Sequence, residues 1–209
     1  MEKPIIATTL SGLFLKSAPW KNAHRTWYEK AAAKLGDNSV LEWIEKPNYF
    51  DGVDKIMKRL YPDLSDAEKT ARAREMFFDS VVENIKSSTR REEIINYFTS
   101  LKKRYTLVLI TTNTKPALKK ILQASEMEGF FDITETSKQE EKDDKRTVFD
   151  RFLQRYPKPI IYVGGDRKDS YDYCEEKEIP CVFANLENAE NLTNVRTIHS
   201  LEELKEILV

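Results

Sequence analysis

The sequence predicts an α/β protein, a parallel-sheet core carrying a helical insertion after its first strand. Two observations carry that prediction. Short continuous apolar runs, Leu107–Ile110 and Ile160–Val163 among them, read as strands buried on both faces, and they alternate with helical patterns. Between about Ser17 and Tyr105 the strand runs vanish and apolar residues recur at helical spacing instead. At 209 residues, the chain has room for one large domain or a core with an inserted subdomain. The expected division is residues 1–16 plus 99–209 for the core and 17–98 for the helical subdomain.

Each element follows in order. Pro4 to Leu10 is a β-branched run that stops at Ser11-Gly12, a strand leading into a tight loop. Trp20, His24, Trp27, Tyr28 and Ala31 share a helix face, as do Val53, Ile56, Met57 and Leu60. Ser65 with Glu68 three residues later is a capping box opening a long helix to about Ile85. Thr89 to Lys103 forms one more helix, with Ile94, Ile95, Phe98 and Leu101 inward. The core then continues as a strand ending in Thr111-Thr112-Asn113, a helix from Pro116 to Ala124, and a short strand at Phe130–Thr134. A helix from Lys145 to Arg155, capped by Asp144, leads to the strand that ends in Gly164-Gly165-Asp166. A helix from Asp169 to Lys177, strands at Cys181–Ala184 and Arg196–Ile198, and a helix from Leu201 to Leu208 close the chain.

Composition excludes several functions. Lys plus Arg is 34 and Asp plus Glu is 35, a net charge of −1, which argues against a nucleic-acid binder. The 6 glycines assemble neither G-x-G-x-x-G nor G-x-x-x-x-G-K-[ST], so nucleotide phosphate loops of those kinds are absent. Cys174 and Cys181 make no zinc pattern and read as reduced thiols. With no apolar run of membrane-spanning length, the expectation is a cytoplasmic protein without a membrane partner.

In open α/β sheets ligands sit at the carboxyl ends of strands. Here those ends read Thr9-Leu10-Ser11-Gly12, Thr111-Thr112-Asn113 and Gly164-Gly165-Asp166-Arg167-Lys168-Asp169. Glycine lets backbone N–H groups approach an anion, Thr and Asn add short donors, and an aspartate is a hard oxygen ligand suited to Mg2+. Taken one at a time, each is equally readable as a turn.

Together these segments resemble the haloacid dehalogenase (HAD) superfamily, subfamily I, the phosphoglycolate-phosphatase-like branch, over essentially the whole chain. Thr112-Asn113 within LKKRYTLVLITTNTKPALKKILQASEMEGFFDITETS matches the second family motif, and YVGGDRKDSYDYCEEKEIPCVFA matches the fourth. Lys145 or Lys142 fills the third, a lysine near a helix start. The resemblance implies a HAD-type Rossmann-like core, a helical cap over residues 17–98, and Mg2+-dependent phosphatase ancestry. It implies a phosphate site of Gly12, Thr112, Asn113 and Lys145, with Asp166 and Asp169 as metal ligands.

The first motif departs from the family. The family pattern is Asp-x-Asp-Gly, nucleophile and general acid/base, and the same register here is Thr9-Leu10-Ser11-Gly12. A carboxylate is ionised at neutral pH, whereas a threonine hydroxyl needs an adjacent base, and none is near in sequence. The reading is a HAD-fold protein whose phosphatase chemistry is lost, with only weak Mg2+ binding left, and which binds a phosphorylated small molecule or a protein partner. Two alternatives stand beside it. One is an atypical phosphatase using Mg2+ held by Asp166 and Asp169, and the other an interaction protein with no ligand.

Overall fold

The computed structural model describes residues 3–45, 49–165, 167–188 and 195–208. Six strands form one parallel sheet in the order β3-β2-β1-β4-β5-β6. They are β1 (Ile5–Thr8), β2 (Thr106–Thr114), β3 (Ile133–Ser137), β4 (Ile161–Gly164), β5 (Cys181–Ala184) and β6 (Arg196–Ile198). The apolar runs explain the burial: Ile5 to Thr8, Leu107 to Ile110 and Ile161 to Val163 are all buried.

Helices cover both faces. On one side α4 (Glu92–Leu101), α5 (Lys115–Ala124) and α8 (Leu201–Ile207) pack with Phe14, Leu107 and Leu109. On the other, α6 (Lys145–Leu153) and α7 (Lys168–Glu176) bring Val148, Phe149, Phe152, Tyr173 and Cys174 against Val108, Ile110 and Tyr162. The Ser65 box forms as read, its side chain accepting from the Glu68 N–H while Glu68 accepts from the Ser65 N–H. Asp144 caps α6 by accepting from the Arg146 N–H.

The insertion holds α1 (Ala18–Leu35), α2 (Tyr49–Leu60) and α3 (Asp66–Asn84). Trp27, Tyr28, Val40, Ile56 and Met57 give it a core of its own, and the Trp27 indole N–H donates to the Ala73 carbonyl at 3.1 Å. Its two ends run side by side: Lys16 N–H donates to Thr89 O (2.8 Å) and Arg91 N–H to Phe14 O (2.9 Å). Glu187, after β5, fastens both ends, accepting from Ser17 N–H and Arg91 Nη2, each at 2.9 Å, and from the Ser17 hydroxyl.

One element boundary differs from the sequence reading. Position 98 falls inside α4, whose Ile94, Ile95, Phe98 and Leu101 pack in the sheet's core, and the backbone neck of the insertion lies near Thr89. The third strand runs over Ile133–Ser137, not Phe130–Thr134, because Phe130 and Phe131 stand edge-on to Phe14 (5.2 and 5.4 Å between centroids).

Candidate functional site at the strand ends

Parallel pairing of β1 with β2 and β4 brings three segments together at one end of the sheet. Thr9 N–H continues the ladder to Val163 O at 3.2 Å, and Thr8 Oγ1 donates to Val108 O at 2.9 Å. Gly12 turns the chain with φ +78°, and its N–H donates to Leu15 O at 2.7 Å. A Cβ on Gly12 would stand 2.7 Å from Gly165 O, and one on Gly165 would stand 2.6 Å from Ser11 O. Both glycines are thus required by the backbone contact that closes the first-motif loop onto the β4 loop.

The predicted phosphate residues divide into two sets. Thr112 and Asn113 lie inside β2, which runs past the expected strand end, and Asn113 N–H donates to Thr111 Oγ1 at 3.1 Å. Lys145, not the exposed Lys142, turns inward. It is 2% exposed, donates to Ile110 O, and has its ammonium 5.9 Å from the ring centroids of Phe149 and Tyr162. Its ammonium is thus held at the Ile110 carbonyl of β2.

Arginines, unpredicted at this place, organise what is left. Arg167 forks onto Asp169, Nε to Oδ1 at 3.0 Å and Nη2 to Oδ2 at 2.5 Å. Its Nη1 reaches Thr112 Oγ1 at 3.2 Å and Asp143 Oδ1 at 2.7 Å. Arg74, from α3, donates to the carbonyls of Thr112 and Glu141, and to Ser137 Oγ and Lys138 O at 3.3 Å each. Partial desolvation acts to raise the Asp143 carboxyl, whose side chain is still 40% exposed, but Arg167, the Thr112 hydroxyl and Arg74 outweigh it and hold the pKa below the ordinary value. Burial likewise acts to lower Arg167, and Asp169 and Asp143 together carry it above the usual arginine range.

Of the described residues expected around Mg2+, Thr9 and Ser11 bring hydroxyls, and Asp169 has both carboxylate oxygens on the Arg167 fork. Among the described residues no cluster of three or more His, Cys, Asp and Glu is present. Asp166 lies outside the described residues. Among the described residues, the buried hydroxyls of Ser11 and Ser170 have no hydrogen-bond partner. Nor is an imidazole at hand: His24 stands edge-on to Tyr28 in the helical unit, and His199 follows the edge strand β6. Burial lowers the His24 pKa. A groove of about 420 Å3 lies beside this site, along β3 and the start of α5, lined by Lys115, Lys138, Arg151 and Arg155.

Sheet order, strand-end loops and an insertion after β1 define the HAD-type Rossmann-like fold. Solved structures of that fold superpose along the whole chain. CbbY from Rhodobacter sphaeroides in complex with phosphate is 15% identical, with TM-score 0.66, over 97% of this chain and 96% of that one. A putative phosphatase from Clostridium difficile is 17% identical, with TM-score 0.66 and complete coverage of both chains. The putative HAD-hydrolase YfnB from Bacillus subtilis, bound to magnesium, is 14% identical, with TM-score 0.62, over 100% and 99%. No protein-family model and no curated protein matches the sequence. Among the described residues no helix is long and apolar enough to cross a membrane.

Proposed function

We propose that this HAD-fold protein has given up phosphomonoester hydrolysis and acts by binding a phosphorylated ligand, a small molecule or a protein partner, in the cytoplasm. The observation that carries this reading is Arg167 bridging Thr112 Oγ1, Asp143 and Asp169. A strand end built for aspartyl-phosphate chemistry needs an ionised nucleophile and a metal-ready acid. Here the end of β1 offers the hydroxyls of Thr9 and Ser11, and Asp169 is held by a guanidinium. What remains suits anion capture: a hydroxyl, a fixed guanidinium and the backbone of a glycine-tight loop.

The test is an assay of p-nitrophenyl phosphate hydrolysis with Mg2+ beside a melting curve in inorganic phosphate. The expected result is no turnover above buffer and a phosphate-dependent rise in melting temperature. Robust Mg2+-dependent turnover abolished by Asp166→Ala overturns the reading in favour of an atypical phosphatase. Neither turnover nor a shift at millimolar phosphate favours an interaction protein with no ligand.

A further inference from the structure

We infer that Asp143 is a built-in occupant of the anion site. Its carboxylate accepts from Arg167 Nη1, the nitrogen that also reaches Thr112 Oγ1, where a ligand's phosphate oxygen would stand, and a phosphate-bearing ligand binds by displacing it, without a metal ion. This rests on the phosphate-binding reading above and adds the mode of entry and the charge that replaces the metal.

The guanidinium geometry separates two jobs. A planar guanidinium presents its donors along distinct edges. Asp169 takes the Nε/Nη2 edge of Arg167, which fixes the plane. Nη1 is left for Thr112 Oγ1 and Asp143 Oδ1. Removing Asp143 exposes that edge with its orientation already set by Asp169. A carboxylate oxygen and a phosphate oxygen are interchangeable acceptors for such a donor pair.

Charge points the same way. Arg74 donates to the Thr112 carbonyl and Arg167 to its hydroxyl, and Asp143 and Asp169 pair with Arg167. Removing Asp143 takes one negative charge from beside the two guanidinium groups, which makes the field there more attractive to an anion. The fixed guanidinium then takes the part that a dication plays between protein acids and a phosphate.

Displacement is open to Asp143 because its side chain is 40% exposed and can turn into water. Its neighbours are anchored independently. Glu141 is held by Arg151 at 2.8 and 2.9 Å, Arg74 grips the carbonyls of Lys138 and Glu141, and Asp144 caps α6. Asp143 can therefore leave without unravelling the segment between β3 and α6.

Isothermal titration of the full chain with inorganic phosphate, in EDTA and again in Mg2+, tests the inference. Asp143→Asn and Asp143→Ala are expected to bind phosphate roughly tenfold to a hundredfold more tightly than wild type, the range for one charge-assisted hydrogen bond. Mg2+ is expected to leave all affinities unchanged, and Arg167→Ala to lose binding. Unchanged or weaker binding in both Asp143 variants while wild type binds overturns the inference and spares the phosphate reading. Binding that appears only with Mg2+ does the same. Failure of wild type and both Asp143 variants to bind removes the two together. Hydrogen exchange on wild type needs no variant: phosphate should speed exchange over residues 138–144, and unchanged exchange at saturation overturns the displacement.

Discussion

Arg167, the N-cap of α7, holds Asp169 in the first turn of that helix by two parallel hydrogen bonds at 3.0 and 2.5 Å. Such a fork is directional, and it takes both oxygens of the one described acid expected to bind a metal. Removing the arginine should therefore reverse the ion preference of the loop. Wild type is expected to show no Mg2+-dependent change in melting temperature. Arg167→Ala should lose roughly 1–3 kcal/mol of stability in urea unfolding and gain a Mg2+-dependent rise in melting temperature. A variant equally indifferent to Mg2+ would show that the loop cannot hold the ion even when its acids are released.

Ser11 and Ser170 test the opposite case, polar groups that contribute little. Both hydroxyls are buried and make no hydrogen bond among the described residues. Truncating an unsatisfied hydroxyl removes a desolvated group and leaves no partner orphaned. Ser11→Ala and Ser170→Ala are expected to match wild type within roughly 0.5 kcal/mol or exceed it. A loss above about 2 kcal/mol in either would mean that the hydroxyl has a partner in solution.

Gly12 predicts a large loss from one methyl group. Alanine there would sit at φ +78° and press its Cβ to 2.7 Å from Gly165 O. Backbone cannot yield as a side-chain tip does, so Gly12→Ala should cost more than about 2 kcal/mol, strain and clash together. Gly36→Ala is the control. It shares the left-handed backbone, with φ +63°, but meets nothing within 4 Å, so only the smaller strain should appear in its denaturation midpoint.

Acid should loosen the joint between the two parts of the chain. Burial pushes the Glu187 carboxyl up, but the Ser17 hydroxyl and N–H and Arg91 prevail, and its pKa is lowered. A carboxyl with a folded-state pKa below its unfolded value contributes stability that is full above the unfolded pKa. That stability is lost as pH falls through the folded one. Glu187→Gln is expected to flatten the acid side of the stability profile, below the ordinary glutamate range, and leave the neutral-to-basic side parallel to wild type. Chemical denaturation at stepped pH reads this directly, and an unchanged acid slope would place the titration elsewhere.

The parts of the fold that depend on local pattern were legible in the sequence. Continuous apolar runs gave the buried strands, Ser65 with Glu68 gave the start of α3, and Gly12 and Gly165 marked the tight loop. Edges were harder. The strand at 133–137 is polar at every position after Ile133, so the apolar pair Phe130-Phe131 drew the expected strand upstream. Side chains that meet across long sequence separations were not legible at all. KQEEKDDKR reads as a solvated run, and nothing in it marks Asp143 as the residue that meets Arg167, 24 positions on. Arg74 looks like one more charge on an amphipathic helix, yet it reaches Thr112 O, 38 positions away. Lys145 was distinguished from Lys142 only by the helix turning one of them inward.

The neck of the helical unit has an engineering consequence. Residues 14–16 and 89–91 cross it as a short antiparallel ladder, bonded Lys16 to Thr89 and Arg91 to Phe14. Antiparallel strands in that register are joined in many proteins by a two-residue type I′ turn. Replacing residues 17–88 with Asn-Gly would turn the neck into a β-hairpin and yield a minimal sheet-and-helix protein without its largest insertion. The chain is thus divisible at two adjacent points in space, and exchanging the helical unit would also remove Arg74 and its bonds to Thr112 O and to the segment after β3.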